Sequence, residues 1–582
     1  MSQIQTVDEA TKAADPATDP ATDHAAPPRT PRTGPRRAGF QRHGDVLVWI
    51  VIAAVALYFL QRQNVPRTFF FDEWTWIAER RTNGPDTWLR PHNGHLITLI
   101  IVIYRVLLAV FGLNHYRPYR LVGLLAHVLV ATLLYRTVRS RHGATIGIAA
   151  GALFVLLGSA WEVIYQPSAL NNMGPAAVGL LAWMMLTRQT RKGDIAASVA
   201  TGAAIAFGGL GIVFMLGTAA RLAVARQWRR LLVVVAPSAF LYVVWYMSYG
   251  ESQGTIDNLT RLPRYVVDEA ASSVAGLAGR DLLWGRLALG VIVGLLVRPL
   301  FGLAVHLARR LRELPVADPS SRAALTVAPA VAMLSNWLLV GYSRADLGLP
   351  ASSRYVYGGA LFLILTASAA APTGASRRGA LAVVAASALG IWGNWYALRV
   401  GPVNMREATA VLRVELRAVE WAAASVDPKL PVDTARSPGL LAGQYLEARD
   451  QLGSAAASDS EVEVNAKAYG AYMDEESLRA GGFAPVVRDS TQVCAAEGNG
   501  AAGPVELNVA SGGTFEVRTN GDPVEVRLRR YAAEVPEEPQ TTIAAGEAAT
   551  FTVPADNAPR QEWTVQLTSA GTIAACTSSP GS

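Results

Sequence analysis

Charge is scarce in this chain. Asp, Glu, Lys and Arg make up 17% of its 582 residues, whereas 51% are hydrophobic, and the mean hydropathy is +0.24. That balance excludes an ordinary soluble enzyme of this length. Because the apolar residues come in long runs, the class is an α-helical polytopic membrane protein. A basic helix interleaved with aromatics is missing, so the net charge of +7 does not imply nucleic acid. The arginines cluster in short segments between apolar runs, as topology signals do. A signal peptide is missing too. Residues 1–43, rich in Ala, Pro, Thr, Asp and Arg and containing "PPRTPRTGPRR", hold no short apolar stretch with a small-residue cleavage site. They cannot bury a core and are expected to be a disordered cytoplasmic tail. Cysteine is down to two residues, Cys494 and Cys576.

What is present is a series of twelve apolar runs: 46–60, 96–112, 119–135, 145–160, 169–187, 195–208, 211–225, 231–248, 281–297, 323–342, 354–371 and 380–397. The run 96–112, "LITLIIVIYRVLLAVFG", is short for a hydrocarbon core of about 30 Å and carries Arg105 in its middle. An arginine there costs roughly 2.5–3.5 kcal/mol on insertion scales. If this run lies in the interface instead, "RTVRSRHG", "RQTRKGD", "RLAVARQWRR", "ARRLRELPVADPSSR" and "SRRG" all fall in the cytoplasm. If it spans, all five flip outside. The expectation is therefore eleven spans plus one juxtamembrane helix over residues 44–400. The N-terminus is then cytoplasmic, and 300–313 is an amphipathic cytoplasmic helix. The hairpin 195–225 breaks at "GGLG".

With eleven spans, everything after residue 400 lies outside the membrane. Residues 401–503 are expected to hold an amphipathic helix over 402–425 and an irregular linker over 426–500. From 504 to 582 the alternating segments "VELNVA", "TFEVRT", "VEVRLRRY", "ATFTV" and "WTVQLTS", punctuated by Gly, Asn, Asp and Pro, predict a small β-sandwich. Cys494 and Cys576 bracket it, and outside the membrane such a pair can oxidise and persist. Closing a loop of that length stabilises by roughly 4–5 kcal/mol in the chain-entropy model. Two buried thiols are the alternative. Trp563 and Tyr531 are candidates for binding carbohydrate there; a packing lid is the other reading.

The outer loops carry the candidate chemistry. "FFFDEW" places Asp72 and Glu73 just beyond the first span. No nucleotide pool exists outside the membrane, so group transfer there needs a donor activated otherwise, such as a lipid-linked phosphate sugar. That reaction wants a carboxylate to take the acceptor's proton and cations for the departing phosphate. Asp72 fits as base, with Glu73 orienting the acceptor; an N-cap at the following helix is the structural alternative. Arg354 in "SSRYVYGG", Arg344 in the same outer loop and Tyr355 are candidates for the phosphate, against plain interface anchoring. Tyr165, Gln166, Asn171 and Asn172 in "YQPSALNN", and Glu162 before them, suit sugar hydroxyls.

The order of parts resembles the GT-C superfamily of integral-membrane glycosyltransferases, which includes protein O-mannosyltransferases, aminoarabinose transferases and actinobacterial arabinosyl- and mannosyltransferases. A first span leads to an acidic pair in the first outer loop. A turn, a juxtamembrane apolar helix ending in "Phe-Gly" and an "Arg-Leu" start to the next span follow. Here these are "FFFDEW", "RPHNGHLITLIIVIYRVLLAVFG" and "YRLVGLLAHVLVATLLYRTVRSRHG". The match is best over residues 46 to about 187. The resemblance implies that Asp72 is the base and that the chain moves a sugar from a polyprenyl-phosphate donor to an acceptor hydroxyl of a cell-envelope glycan, lipid or protein, with inversion. It departs at the turn, where "PHNGH" replaces the family's "HPPL". His92, Asn93 and His95 are candidates for substrate contact. A divalent metal held by Glu73, His92 and His95 is left open as a cofactor. Two other functions compete. One is a transporter or flippase of lipid-linked sugars, against which stand the lack of a clear internal repeat and of mid-membrane charge. The other is a non-catalytic scaffold whose outer domain binds glycan.

Overall fold

The computed structural model describes residues 35–63, 68–295, 322–374, 376–487, 504–519 and 521–578. Residues up to Trp49 form a unit of their own, described from Pro35 onward. Helix α1 (Pro35–Arg62) thus takes in residues 35–43, which were expected to belong to the tail. After it come α2 (Asp72–Glu79), α3 (Pro85–Leu89), α4 (Thr98–Phe111), α5 (Arg117–His142), α6 (Ala144–Val155), α7 (Trp161–Tyr165), α8 (Leu170–Leu186), α9 (Arg191–Phe207) and α10 (Leu210–Val224). Then follow α11 (Trp228–Val234), α12 (Ala236–Tyr249), α13 (Ile256–Leu277), α14 (Leu282–Leu295), α15 (Arg322–Arg344), α16 (Ser353–Ala370) and α17 (Arg377–Trp421). Every apolar run is helical where it is described. The helix expected over 300–313 lies outside the described residues.

Five described helices are long and apolar enough to cross a membrane, seven when the bent pairs Ala144–Val155 with Gly158–Tyr165 (40°) and Trp228–Val234 with Ala236–Tyr249 (45°) each count as one. Eleven were expected. Four expected spans fall short: α9 has 17 residues, α10 has 15, a rise of about 22 Å against a core of about 30 Å, α14 is described only over Leu282–Leu295, and α16, 18 residues long, begins on polar residues. The chain is a multi-pass membrane protein. Wide apolar surfaces remain bare, among them Phe240, Leu241 and Met247 on α12 and Leu389, Trp392 and Tyr396 on α17, which is the surface lipid tails cover. Between α9 and α10 the chain turns at Gly208, whose φ is 153°, where "GGLG" was expected to break the hairpin.

Short α4 keeps its arginine out of any apolar layer. The Arg105 guanidinium donates to the Arg80 carbonyl at 2.8 Å, to Asn83 Oδ1 at 2.7 Å and to the Thr82 carbonyl. It also lies 4.9 Å from the Trp88 ring. The 80–83 loop therefore satisfies the charge locally.

Beyond the bundle, the expected amphipathic helix over 402–425 is not separate. It continues the preceding run without a break as α17, 45 residues long. Pro402 sits inside it and cannot donate to the Leu398 carbonyl one turn back. The Tyr165 hydroxyl donates to that carbonyl at 3.1 Å. The stretch 426–500, expected to be irregular, holds α18 (Ala442–Leu452) and α19 (Asp459–Ala480). A capping box at Ser458 and Glu461 starts α19. Together α2, α4, the C-terminal end of α17 and α18 bury one core that includes Phe69, Trp74, Tyr104, Leu412, Leu416 and Tyr445.

The C-terminal part is the expected β-sandwich. Its strands are β1 (Pro485–Val487), β2 (Val505–Ala510), β3 (Thr514–Thr519), β4 (Val524–Arg529), β5 (Thr541–Ile543), β6 (Ala548–Thr552), β7 (Glu562–Thr568) and β8 (Ile573–Ser578). They form two antiparallel sheets in the orders β1-β6-β3-β8 and β2-β7-β4-β5. Alternate residues such as Phe515, Val517, Val526, Leu528, Phe551, Val565 and Leu567 point between the sheets, as a period of two requires. Asp474 of α19 accepts the backbone N–H groups of Arg530, Tyr531 and Ala532, tying helix to sandwich. Trp563 and Tyr531, candidates either for carbohydrate binding or for packing, are 0% and 2% exposed. They flank the buried Arg530, which is paired with Asp556 at 2.7 Å. Burial in that cluster removes both rings from any ligand. Cys576 lies on β8; Cys494 lies outside the described residues.

Candidate active site

The local fold of "FFFDEW" separates its two carboxylates. Phe69 is fully buried and packs edge-on against Trp74, Tyr116 and Tyr119. Phe71 stands at φ 52°, a conformation costly for a residue with a side chain, and its N–H donates to the Arg436 carbonyl at 2.9 Å. That pinned turn sets where α2 begins. Phe71 is the N-cap, so Asp72 is the first helical residue rather than the cap. Successive helical residues point about 100° apart. Asp72 and Glu73 therefore cannot share a face.

Glu73 points inward. It is 0% exposed and accepts hydrogen bonds from the Tyr104 hydroxyl (2.6 Å), the Tyr116 hydroxyl (2.8 Å) and the Phe70 N–H (3.0 Å). Burial raises its carboxyl to about 7 against the pull of those three donors. Expected beside Asp72 in the chemistry, Glu73 is placed instead at the centre of the core that holds α2.

Asp72 faces outward into a cavity of about 300 Å³. Burial pushes its carboxyl up, but the hydrogen bond from His92 and the charges of His92, Arg354 and Arg344 outweigh that and hold it below the usual range. His92 Nε2 stands 3.3 Å from Asp72 Oδ1, and its ring meets the edge of Trp76. A tight turn presents it: His92 and His95 exchange backbone hydrogen bonds at 3.0 Å, with Asn93 at φ 50° and Gly94 at φ 74° between them. His95 is pressed against Gly209, where a methyl group would stand 2.8 Å from the ring. Burial, with Arg344 and His92 nearby, lowers it to about 4, so it is neutral near pH 7.

The cavity gathers most of the sequence-predicted residues from distant parts of the chain. Asp72, Asn93, His95, Asn171, Asn172, Arg344, Arg354 and Tyr355 all line it. Arg354 lies 3.6 Å from Glu162. Among the described residues no hydrogen bond or ion pair holds the Arg344 guanidinium. Leu210, Val213, Tyr242, Tyr246, Leu339 and Val340, from α10, α12 and α15, form an apolar wall beside this polar end. Periodicity did not single out the tyrosines of that wall, or Asn336, because each sits inside an apolar run.

Two expected residues lie elsewhere. Tyr165 is 2% exposed and is engaged by the carbonyl that Pro402 leaves free. Gln166 caps α7, its N–H donating to the Glu162 carbonyl, and does not line the cavity. Glu73, His92 and His95, the metal set left open, point apart. Glu73 is turned into the core, His92 is paired with Asp72, and among the described residues no three His, Cys, Asp or Glu side chains group to hold an ion.

No protein-family model matches this chain, and no curated protein does. Among solved structures it is similar to ArnT from Cupriavidus metallidurans, in crystal structures bound to undecaprenyl phosphate and in the apo state. Both are 18% identical over 67% of this chain and 82% of that chain, with TM-scores of 0.39 and 0.40.

Proposed function

We propose that this protein is a membrane glycosyltransferase that moves a sugar from a polyprenyl-phosphate donor to an acceptor hydroxyl on the extracytoplasmic face. One observation carries the reading: an ionised carboxylate, two arginines and an apolar wall line a single cavity. A lipid phosphodiester needs that combination. Asp72 takes the proton of the acceptor hydroxyl as its oxygen attacks the anomeric carbon. The bond from that carbon to the phosphate oxygen breaks, and its electron pair leaves on polyprenyl monophosphate. The second negative charge appearing on the phosphate is met by Arg344 and Arg354, whose planar forks suit phosphate oxygens. A single displacement of this kind inverts the anomeric centre. His92 contributes by holding Asp72 ionised and aimed.

The orientation belongs to the same proposal. The tail is cytoplasmic, the helical region 44–400 spans the membrane, and the parts 401–503 and 504–582 stand outside, where Cys494 and Cys576 pair. Acceptors are hydroxyls of the cell envelope.

The test is a screen of lipid-linked sugars with purified protein, reading product by mass. Asp72→Asn is expected to lower turnover at least 10²-fold, the low end of what a positioned base contributes, while donor binding stays. Turnover close to wild type would remove Asp72 from the mechanism.

A further inference from the structure

Behind the cavity wall lies a polar cluster that the displacement chemistry leaves unused. Asn336 of α15 lines the cavity, and its carboxamide N–H donates to Glu269 Oε1 of α13 at 3.5 Å. Glu269 is 1% exposed, yet among the described residues its Oε2 finds no partner. Burial raises its carboxyl well above the usual range, which favours the protonated form. One turn earlier on the same helix, Tyr265 is 5% exposed and its hydroxyl is likewise without a partner. Residues four apart share a helix face, and the two present their polar ends together.

Helix α16 closes this cluster from the other side. A methyl group at Gly358 would stand 3.1 Å from Asn336 Oδ1, and one at Gly359 would collide with Ser273 Oγ. Ser273 Oγ donates back to the Glu269 carbonyl at 2.8 Å and accepts from Trp337 Nε1 at 3.3 Å. The carboxamide of Asn336 is therefore boxed in. One of its two N–H donors goes to Glu269, and among the described residues no protein donor reaches its Oδ1.

Buried polar groups without partners are rare in folded proteins. An amide oxygen that accepts, an acid that donates and a phenol that does either are complementary to hydroxyl groups. They suit a phosphate less well, since its oxygens would meet a carboxyl and an amide oxygen; the charges of Arg344 and Arg354 reach the cluster at Tyr265. We infer that Asn336, backed by Glu269 and Tyr265, forms the hydroxyl-reading end of the cavity and takes the ring of the transferred sugar, Asn336 by contact and Glu269 by positioning Asn336. This rests on the glycosyltransferase reading above. The cavity then has two ends: Arg344 and Arg354 for the phosphate, the α13–α15 cluster for the sugar.

The experiment measures binding to full-length protein in nanodiscs of three probes: a polyprenyl phosphate, its mannosyl ester and its arabinofuranosyl ester. Wild type is expected to bind at least one ester more tightly than the bare lipid phosphate. Asn336→Ala and Glu269→Leu are expected to weaken that ester at least about tenfold, as sites built to bond a hydroxyl do when a partner is lost, and to leave the bare lipid unchanged. Glu269→Gln, neutral and of the same shape, keeps the preference. Should Glu269→Leu fail to fold, Asn336→Ala, which alters the cavity wall alone, decides. An ester-to-lipid ratio that Asn336→Ala leaves unchanged overturns the inference, as does a wild type that binds ester and bare lipid equally. Both outcomes leave the transferase reading standing. A wild type that binds none of the three probes sinks both.

Discussion

Two neighbouring carboxylates in "FFFDEW" meet opposite fates, and the cause is helical phase. Asp72 opens onto the cavity while Glu73 is buried under Tyr104 and Tyr116. Their place shortly after the first apolar helix was legible in the sequence. Which of them faces outward was not, because it depends on α2 starting at Phe71, and that start is fixed by a backbone hydrogen bond to Arg436 more than 360 residues away. Glu73 has a measurable consequence. Its carboxyl is raised from 4.5 to about 7 by burial, so the folded chain holds a proton that the unfolded chain has lost. Its contribution to stability is complete below about pH 4.5 and disappears as pH rises through about 7. In thermal melts in detergent, wild type is expected to lose more stability between pH 5 and pH 8 than Glu73→Gln. Equal losses in the two proteins would contradict the assignment.

At the scale of elements, the apolar runs announced the helices with little ambiguity, since nothing but a helix hides that much backbone among apolar side chains. The two outer helices α18 and α19 escaped notice because their sequences, rich in Ala, Ser and acids, lack an apolar stripe. The Ser458–Glu461 capping box was the signal available. Tyr165 was read as a sugar contact for want of its partner, which lies on α17 across the fold. Its work is to supply the donor that Pro402 lacks. A double-mutant cycle checks this. Tyr165→Phe in the native background leaves a buried carbonyl unpaired, at a cost of about 1–3 kcal/mol. With Pro402→Ala, a backbone N–H returns to Leu398, and Tyr165→Phe becomes close to neutral. Equal costs in both backgrounds would rule the repair out.

At the scale of the whole molecule, the gathering of residues 72, 93–95, 171–172, 336–344 and 354–355 around one cavity was only partly legible. The expected topology puts the segments around 72, 93–95, 171–172 and 354–355 on one side of the membrane, but which of them touch is decided by helix packing that periodicity does not encode. The sidedness is directly testable. A membrane-impermeant thiol reagent applied to intact cells after reduction is expected to label Cys494 and Cys576, and unreduced protein is expected to leave both unlabelled and to migrate faster on a non-reducing gel. Labelling of both cysteines without reduction would dismiss the pairing; none after reduction and unfolding of the surface would place the domain on the cytoplasmic side.

The unbroken course of α17 has a mechanical corollary. Forty-five residues at 1.5 Å each make a mast of roughly 65–70 Å, rooted among the apolar helices and carrying the outer layers at its head. Helix α19 packs along it, so the spacing between the apolar helices and the C-terminal layers is set by the length of one rod and not by a slack tether.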